Sequence, residues 1–198
     1  MELLIIILRV KKKHQKRFVI NKYIRIMNEL KFLKIRDVKS PVRGTAEAAG
    51  IDFFVPNYNA QFAVDFREKN PEIDYAVFKD VMEFQLEPGQ RVLIPSGIKT
   101  WMTPGTALIA ANKSGVASKK GLIFGAQVVD SDYAGEVHIS VINTSNNEVI
   151  IKTGEKLIQF IHTPVLLTPP EEVDEYMFNA LHDKSQRGTG GFGSTGIQ

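Results

Sequence analysis

Residues 130–136 read Asp-Ser-Asp-Tyr-Ala-Gly-Glu, so three carboxylates crowd around a tyrosine and a small Ala134-Gly135 pair. Acids this close can orient a water, hold a hard cation, or simply face solvent in a turn. The flank favours placement on a strand end. Val137, Ile139 and Val141 alternate with His138 and Ser140, and only Ile142 breaks the pattern. That period of two marks a half-buried strand on each side of a tight turn within 127–143. A carboxylate beside a buried strand needs a partner or a task.

Other residues with chemistry lie far off in sequence. Lys113-Ser114-Gly115 follows an apolar strand and opens a short helical turn, which aims a cation and backbone N–H groups at an anion. It is not a Walker A loop, because the upstream glycine frame is missing. The plain alternative is Ser114 as a helix N-cap beside a solvated Lys113. Asp52, between Ile51 and Phe53, requires a partner, a cation or water, unless it sits on a strand edge. Gln159 interrupts the apolar run 157–165, either as a buried hydrogen-bonding residue or as a cross-strand amide contact. Near the end, Arg187, Ser194 and Thr195 lie among glycines with a single Phe192. Such composition generally means a disordered tail, yet Arg, hydroxyls and free N–H groups suit a polyphosphate, and one ring can stack on a base.

Strands must position these groups. Apolar runs at 30–38, 91–94, 98–102, 106–111, 122–129, 149–152 and 157–165 are separated by Pro88-Gly89, Pro95-Ser96-Gly97, Thr103-Pro104-Gly105 and Thr153-Gly154-Glu155 turns. Short strands at this spacing predict an all-β sandwich or barrel. Residues 56–83 break the rhythm with Asn57, Asn59 and Asn70-Pro71, and read as a surface insertion with a short helix near 74–82. The expected organisation is a 1–26 extension, a 27–165 β domain and a 166–198 arm that is acidic before its glycine-rich tail.

Composition excludes several classes. With no cysteine in 198 residues, disulfides, thiolate catalysis and cysteine-ligated zinc are ruled out, and a reducing cytoplasm is permitted. The net charge of +3 is unevenly spread: residues 1–26 hold eight Lys or Arg against Glu2, leaving the remainder at −4. The body is therefore no obvious nucleic-acid binder. The apolar run 3–8 is too short to span a membrane, and it precedes the basic cluster, the reverse of a secretory signal. Residues 1–26 read as a dispensable extension before a second start at Met27, or as a basic arm.

Five segments in order, AAGIDFF, NKSGVASK, QVVDSDYAGEV, GEKLIQF and RGTGGFGSTG, make the chain resemble the homotrimeric dUTPases. They run from near Arg43 to Gly196, and viral and phage members of similar size also carry extra segments. The resemblance implies a distorted jelly-roll β-barrel, a homotrimer with active sites built between subunits, and cytoplasmic hydrolysis of dUTP to dUMP and pyrophosphate. It implies that Asp130 is the general base for water attacking the α-phosphorus. A carboxylate is a weak base, so positioning contributes most. Magnesium would gather the triphosphate oxygens, with Asp52 contacting it through water. Lys113, Ser114 and Gly115 would bind phosphates with help from Gln159, while Arg187, Ser194 and Thr195 close over the γ-phosphate. Tyr133 would pack on the sugar and exclude a 2′-hydroxyl. The 125–129 hairpin, through Gly125, Gln127 and Val129, would read uracil, and Phe192 would stack on it.

Three departures stand out. Lys113 replaces the usual arginine and loses its bidentate fork. Phe124 stands where some members carry a uracil-contacting asparagine, and the basic cluster has no counterpart. The rival readings are a dCTP deaminase-like enzyme of the same fold, and a nucleotide-gated regulator that binds a protein partner through 56–83.

Overall fold

The computed structural model describes residues 29–186 and 188–190. The readings placed on 1–26, Arg187, Phe192, Ser194 and Thr195 lie outside these. The chain divides into two units, 1–165 and 166–198.

The first unit is mostly β. A four-stranded antiparallel sheet runs β1 (Leu30–Lys34), β6 (Arg91–Met102), β10 (Glu136–Asn143) and β8 (Leu122–Phe124). A five-stranded sheet runs β2 (Val42–Arg43), β3 (Gly50–Phe54), β12 (Lys156–Pro164), β7 (Thr106–Asn112) and β9 (Val128–Asp130). A smaller sheet joins β11 (Val149–Lys152), β5 (Val81–Leu86) and β4 (Tyr75–Phe78). All three contribute to one core, in which Phe53 meets Phe160 edge-on at 4.7 Å between ring centres. This is a jelly-roll-type fold, although the described sheets do not close into a barrel. No described helix is long and apolar enough to cross a membrane.

The alternation read at 137–143 is realised in β10, which buries Val137, Ile139, Val141 and Asn143 and leaves the residues between half-buried. Other expectations need correcting. The first strand stops at Lys34, well short of residue 38. The Pro95-Ser96-Gly97 turn is not a turn: β6 runs straight through it. Gly97 takes φ +73°, and the pairing with β10 slips between Glu136 and His138, so proline and glycine mark a β-bulge here.

The segment 56–83 is not a mere surface loop, and its helix is not at 74–82. Helix α1 is Ala60–Lys69, capped by the Asn59 side chain, which accepts the Phe62 N–H at 2.8 Å. It buries Phe62, Ala63 and Phe66, and the Phe66 ring lies 4.7 Å from that of Phe84. Residues 75–78 are strand β4, which turns into β5 through Lys79 and Asp80, both at positive φ.

In the second unit, helix α3 (Glu175–Leu181) begins at Asp174, whose carboxylate accepts the Met177 N–H at 2.8 Å. None of its residues is buried. Helix α2 (Ser114–Lys120) belongs to the first unit and is described with the site.

Candidate active site

Asp130, Gln127, Val129 and Tyr133 line one cavity of about 250 Å³, together with Leu93, Phe160 and His138. Its walls come from both large sheets, because 125–129 is a crossover and not a self-paired hairpin. β8 bonds to β10, whereas β9 bonds to β7. Gly125 makes the crossing feasible: its N–H donates to the Ser140 carbonyl, and a Cβ there would overlap the Ser140 hydroxyl. The Gln127 carbonyl accepts from Ala110 N–H at 2.7 Å. Two backbone groups of the 125–129 segment are thus already bonded within the protein.

Asp130 is exposed, and no described residue pairs with its carboxylate. Its carbonyl accepts the Tyr133 N–H, closing the turn. The Tyr133 ring folds back over Gly135, where any Cβ would strike it, and the phenol donates to the Glu136 carbonyl at 3.0 Å. The ring stays 44% exposed, a flat apolar plate at the cavity edge. Phe124 does not line this cavity; it is half-buried and packs against the core.

The cations gather elsewhere. Lys113 is the N-cap residue of α2 and Ser114 the first helical residue, so the alternative of Ser114 as cap fails. Nor is Lys113 solvated: its ammonium bonds Asp52, whose other oxygen accepts from Lys156 at 2.8 Å. Asp52 is only 4% exposed. Burial alone would push its carboxyl up, but hydrogen bonds from Lys113 and Lys156 outweigh that and hold it below the usual carboxylate range. Gln159 donates to the Asn112 carbonyl at 2.9 Å, and its side chain occupies the space that a Cβ on Gly50 would need. Lys113, Ser114, Gly115, Lys119, Lys156 and Gln159 line an open cavity of about 450 Å³. Three lysines against one carboxylate make it electropositive, which suits a polyphosphate.

Asp52 and Asp130 are far apart in one chain, although Gln159 and Phe160, neighbours on β12, line the lysine-rich and the apolar cavity respectively. Asp52 opposes Gln159, which opposes Ala111, whereas Asp130 opposes Ala107. The offset is three strand spacings across the sheet, roughly 14 Å, and four residues along it, roughly 13 Å. One chain therefore carries the Asp130 carboxylate and the Asp52–lysine cluster at separate places.

Lys119, Lys156, Leu93, Phe160 and His138 were given no site role from sequence. Lys156 and Lys119 left a trace there, as cations within the quoted segments. Among the described residues no group of three or more His, Asp or Glu could cage a metal. With both oxygens of Asp52 on lysines, a divalent ion fits only if it arrives with phosphate oxygens and keeps its waters, as magnesium does with nucleotides.

A family model described as dUTPase matches residues 79–196. The deoxyuridine 5'-triphosphate nucleotidohydrolase of Pseudomonas putida is 40% identical over 114 residues, covering 56% of this chain and 72% of that protein. Among solved structures, the dUTPase of Staphylococcus bacteriophage 80alpha with dUPNHPP superposes with TM-score 0.64 at 20% identity, covering 85% of this chain and 99% of the other. A mutant dUTPase from phage phi11 of S. aureus, described as coordinating a structural Mg(II) ion, gives TM-score 0.58 at 18% identity over 75% and 98% of the two chains.

Proposed function

Because the chain belongs to the dUTPase family, we propose that it hydrolyses dUTP to dUMP and pyrophosphate at sites assembled between the subunits of a homotrimer. The observation that carries this reading is the split just described: an apolar cavity with one carboxylate that no described residue pairs, and a separate lysine-rich cavity whose Asp52–lysine cluster lies three strands away from Asp130. Uracil and deoxyribose suit the first, the triphosphate suits the second, and a neighbouring subunit brings them together.

At such a site Asp130 orients a water and takes its proton as the oxygen attacks the α-phosphorus. The phosphoanhydride bond breaks in line, and pyrophosphate leaves with the electron pair. Lys113, Lys156 and the 114–115 backbone hold the phosphates and neutralise charge building on the leaving group. Gln159 stands beside them, fixed by Gly50 and Asn112. Asp52 would hold magnesium through water, and that ion when bound supplies further neutralisation of the triphosphate oxygens. Tyr133 covers the sugar face where a 2′-hydroxyl would sit. Arg187, Ser194, Thr195 and Phe192 are assigned to closing over the phosphates and base.

Pyrophosphate release from dUTP, dTTP, dCTP and UTP with magnesium tests the reading, for wild type and Asp130→Asn. Turnover of dUTP alone, lost in the variant, is expected. Ammonia release from dCTP would overturn it in favour of the deaminase reading.

A further inference from the structure

We propose that the α1 segment is a positioning element of the nucleoside half-site, acting on Tyr133 through an Asp65–Arg36–Glu136 relay. Glu136 supplies the carbonyl that anchors the Tyr133 phenol, and its own side chain is tightly held. The Arg36 guanidinium grips it with two bonds, 2.8 and 2.9 Å, and the Gly97 N–H adds a third at 2.6 Å. The free end of Arg36 meets Asp65 of α1 at 2.6 Å. The side chains of Arg36 and Glu136 are only 13% and 12% exposed, so water does not loosen the pair. The Gly97 bulge makes room, since a Cβ there would press on the Arg36 side chain. A second tie runs from the end of the same helix. The Asn70 carboxamide, 2% exposed, donates to the Leu93 carbonyl and accepts the Leu93 N–H, and Leu93 lines the nucleoside cavity. A segment that merely decorated the surface would not reach the walls of one cavity twice, directly at Leu93 and through Arg36 at Glu136. Arg36 is thus a positioning residue, and segment 56–83 sets how firmly the Tyr133 plate is held.

The inference rests on the reading of Tyr133 as the sugar-facing residue, so its test includes a readout without nucleotide. Protein labelled with fluorotyrosine gives a ¹⁹F resonance assignable to Tyr133 by Tyr133→Phe. Arg36→Met is expected to shift or broaden that resonance, raise KM for dUTP about tenfold, and narrow discrimination against UTP about fivefold, with kcat within about twofold. Arg36→Lys should fall between, because it keeps charge but not the fork. Asp65→Asn touches only the outer contact, so it serves if Arg36→Met does not fold, with the same changes at about a third of the size. An unmoved Tyr133 resonance in folded Arg36→Met or Asp65→Asn overturns the relay, as does a loss confined to kcat. An inactive wild type would instead sink the assignment of function, and the resonance would still report on the relay.

Discussion

The two halves of the proposed site are built in opposite ways. The phosphate half is assembled from neighbouring strands of one sheet, with Asp52, Gln159 and the end of β7 side by side and the charges paired before any ligand arrives. The nucleoside half is a crossover, a turn and a bulge, braced from outside by α1. Charge can be stored on a rigid sheet because lysines reach toward phosphate on flexible stems. Selectivity against one hydroxyl demands a fixed plate, and a turn supplies that only when something holds it.

Several variants would break or sharpen this contrast. Asp130→Asn should lower kcat about 10³-fold while dUTP binding by calorimetry stays near wild type, because only proton removal is lost. Co-refolding it with Lys113→Ala is the sharper version. If the halves meet across subunits, random mixing should restore about one-quarter of wild-type activity, since some sites then receive two intact halves; no recovery would place both halves in one chain. Phe66→Ala should cost about 3–5 kcal/mol in urea unfolding, as expected for a fully buried ring. A cost below about 1 kcal/mol would return 56–83 to the status of an appendage. Lys113→Ala leaves Asp52 with Lys156 alone, and kcat/KM should fall about 10²-fold with the dUTP-to-UTP preference unchanged. A changed preference would mean the halves are not independent.

The smallest effect concerns pH. Burial pushes the Glu136 carboxyl up, but Arg36 and the Gly97 N–H outweigh it, and its folded value lies below the usual carboxylate range. Its contribution to stability is therefore present above that range and is lost as pH falls through the depressed value. Acid melting curves of Glu136→Gln should show a shallower fall than wild type over that window.

The sequence revealed the period-two strand β10 and the order of the chemistry-bearing residues, because alternation and local motifs are short-range signals. It misled at Pro95-Ser96-Gly97, since a turn and a bulge ask for the same residues. Phe62, Ala63 and Phe66 carry helical spacing that could have placed α1, but the surrounding asparagines and charges obscured it. The pairing of Asp52 with both Lys113 and Lys156 joins three separate strand regions, and no local pattern encodes it. The same holds for Arg36, which reads as one more surface cation until β6, β10 and α1 converge on it.

Asn70 has a consequence beyond the nucleotide. β1 covers β6 only from Ile98 to Met102, so the opposite end of β6 would present an open backbone edge at Leu93. The single carboxamide fills it, accepting one hydrogen and donating another as a neighbouring strand would. Uncovered edges recruit strands from other molecules. A trimmed chain lacking 56–83 would therefore be prone to self-association, and its solubility, ahead of its catalysis, would register the loss.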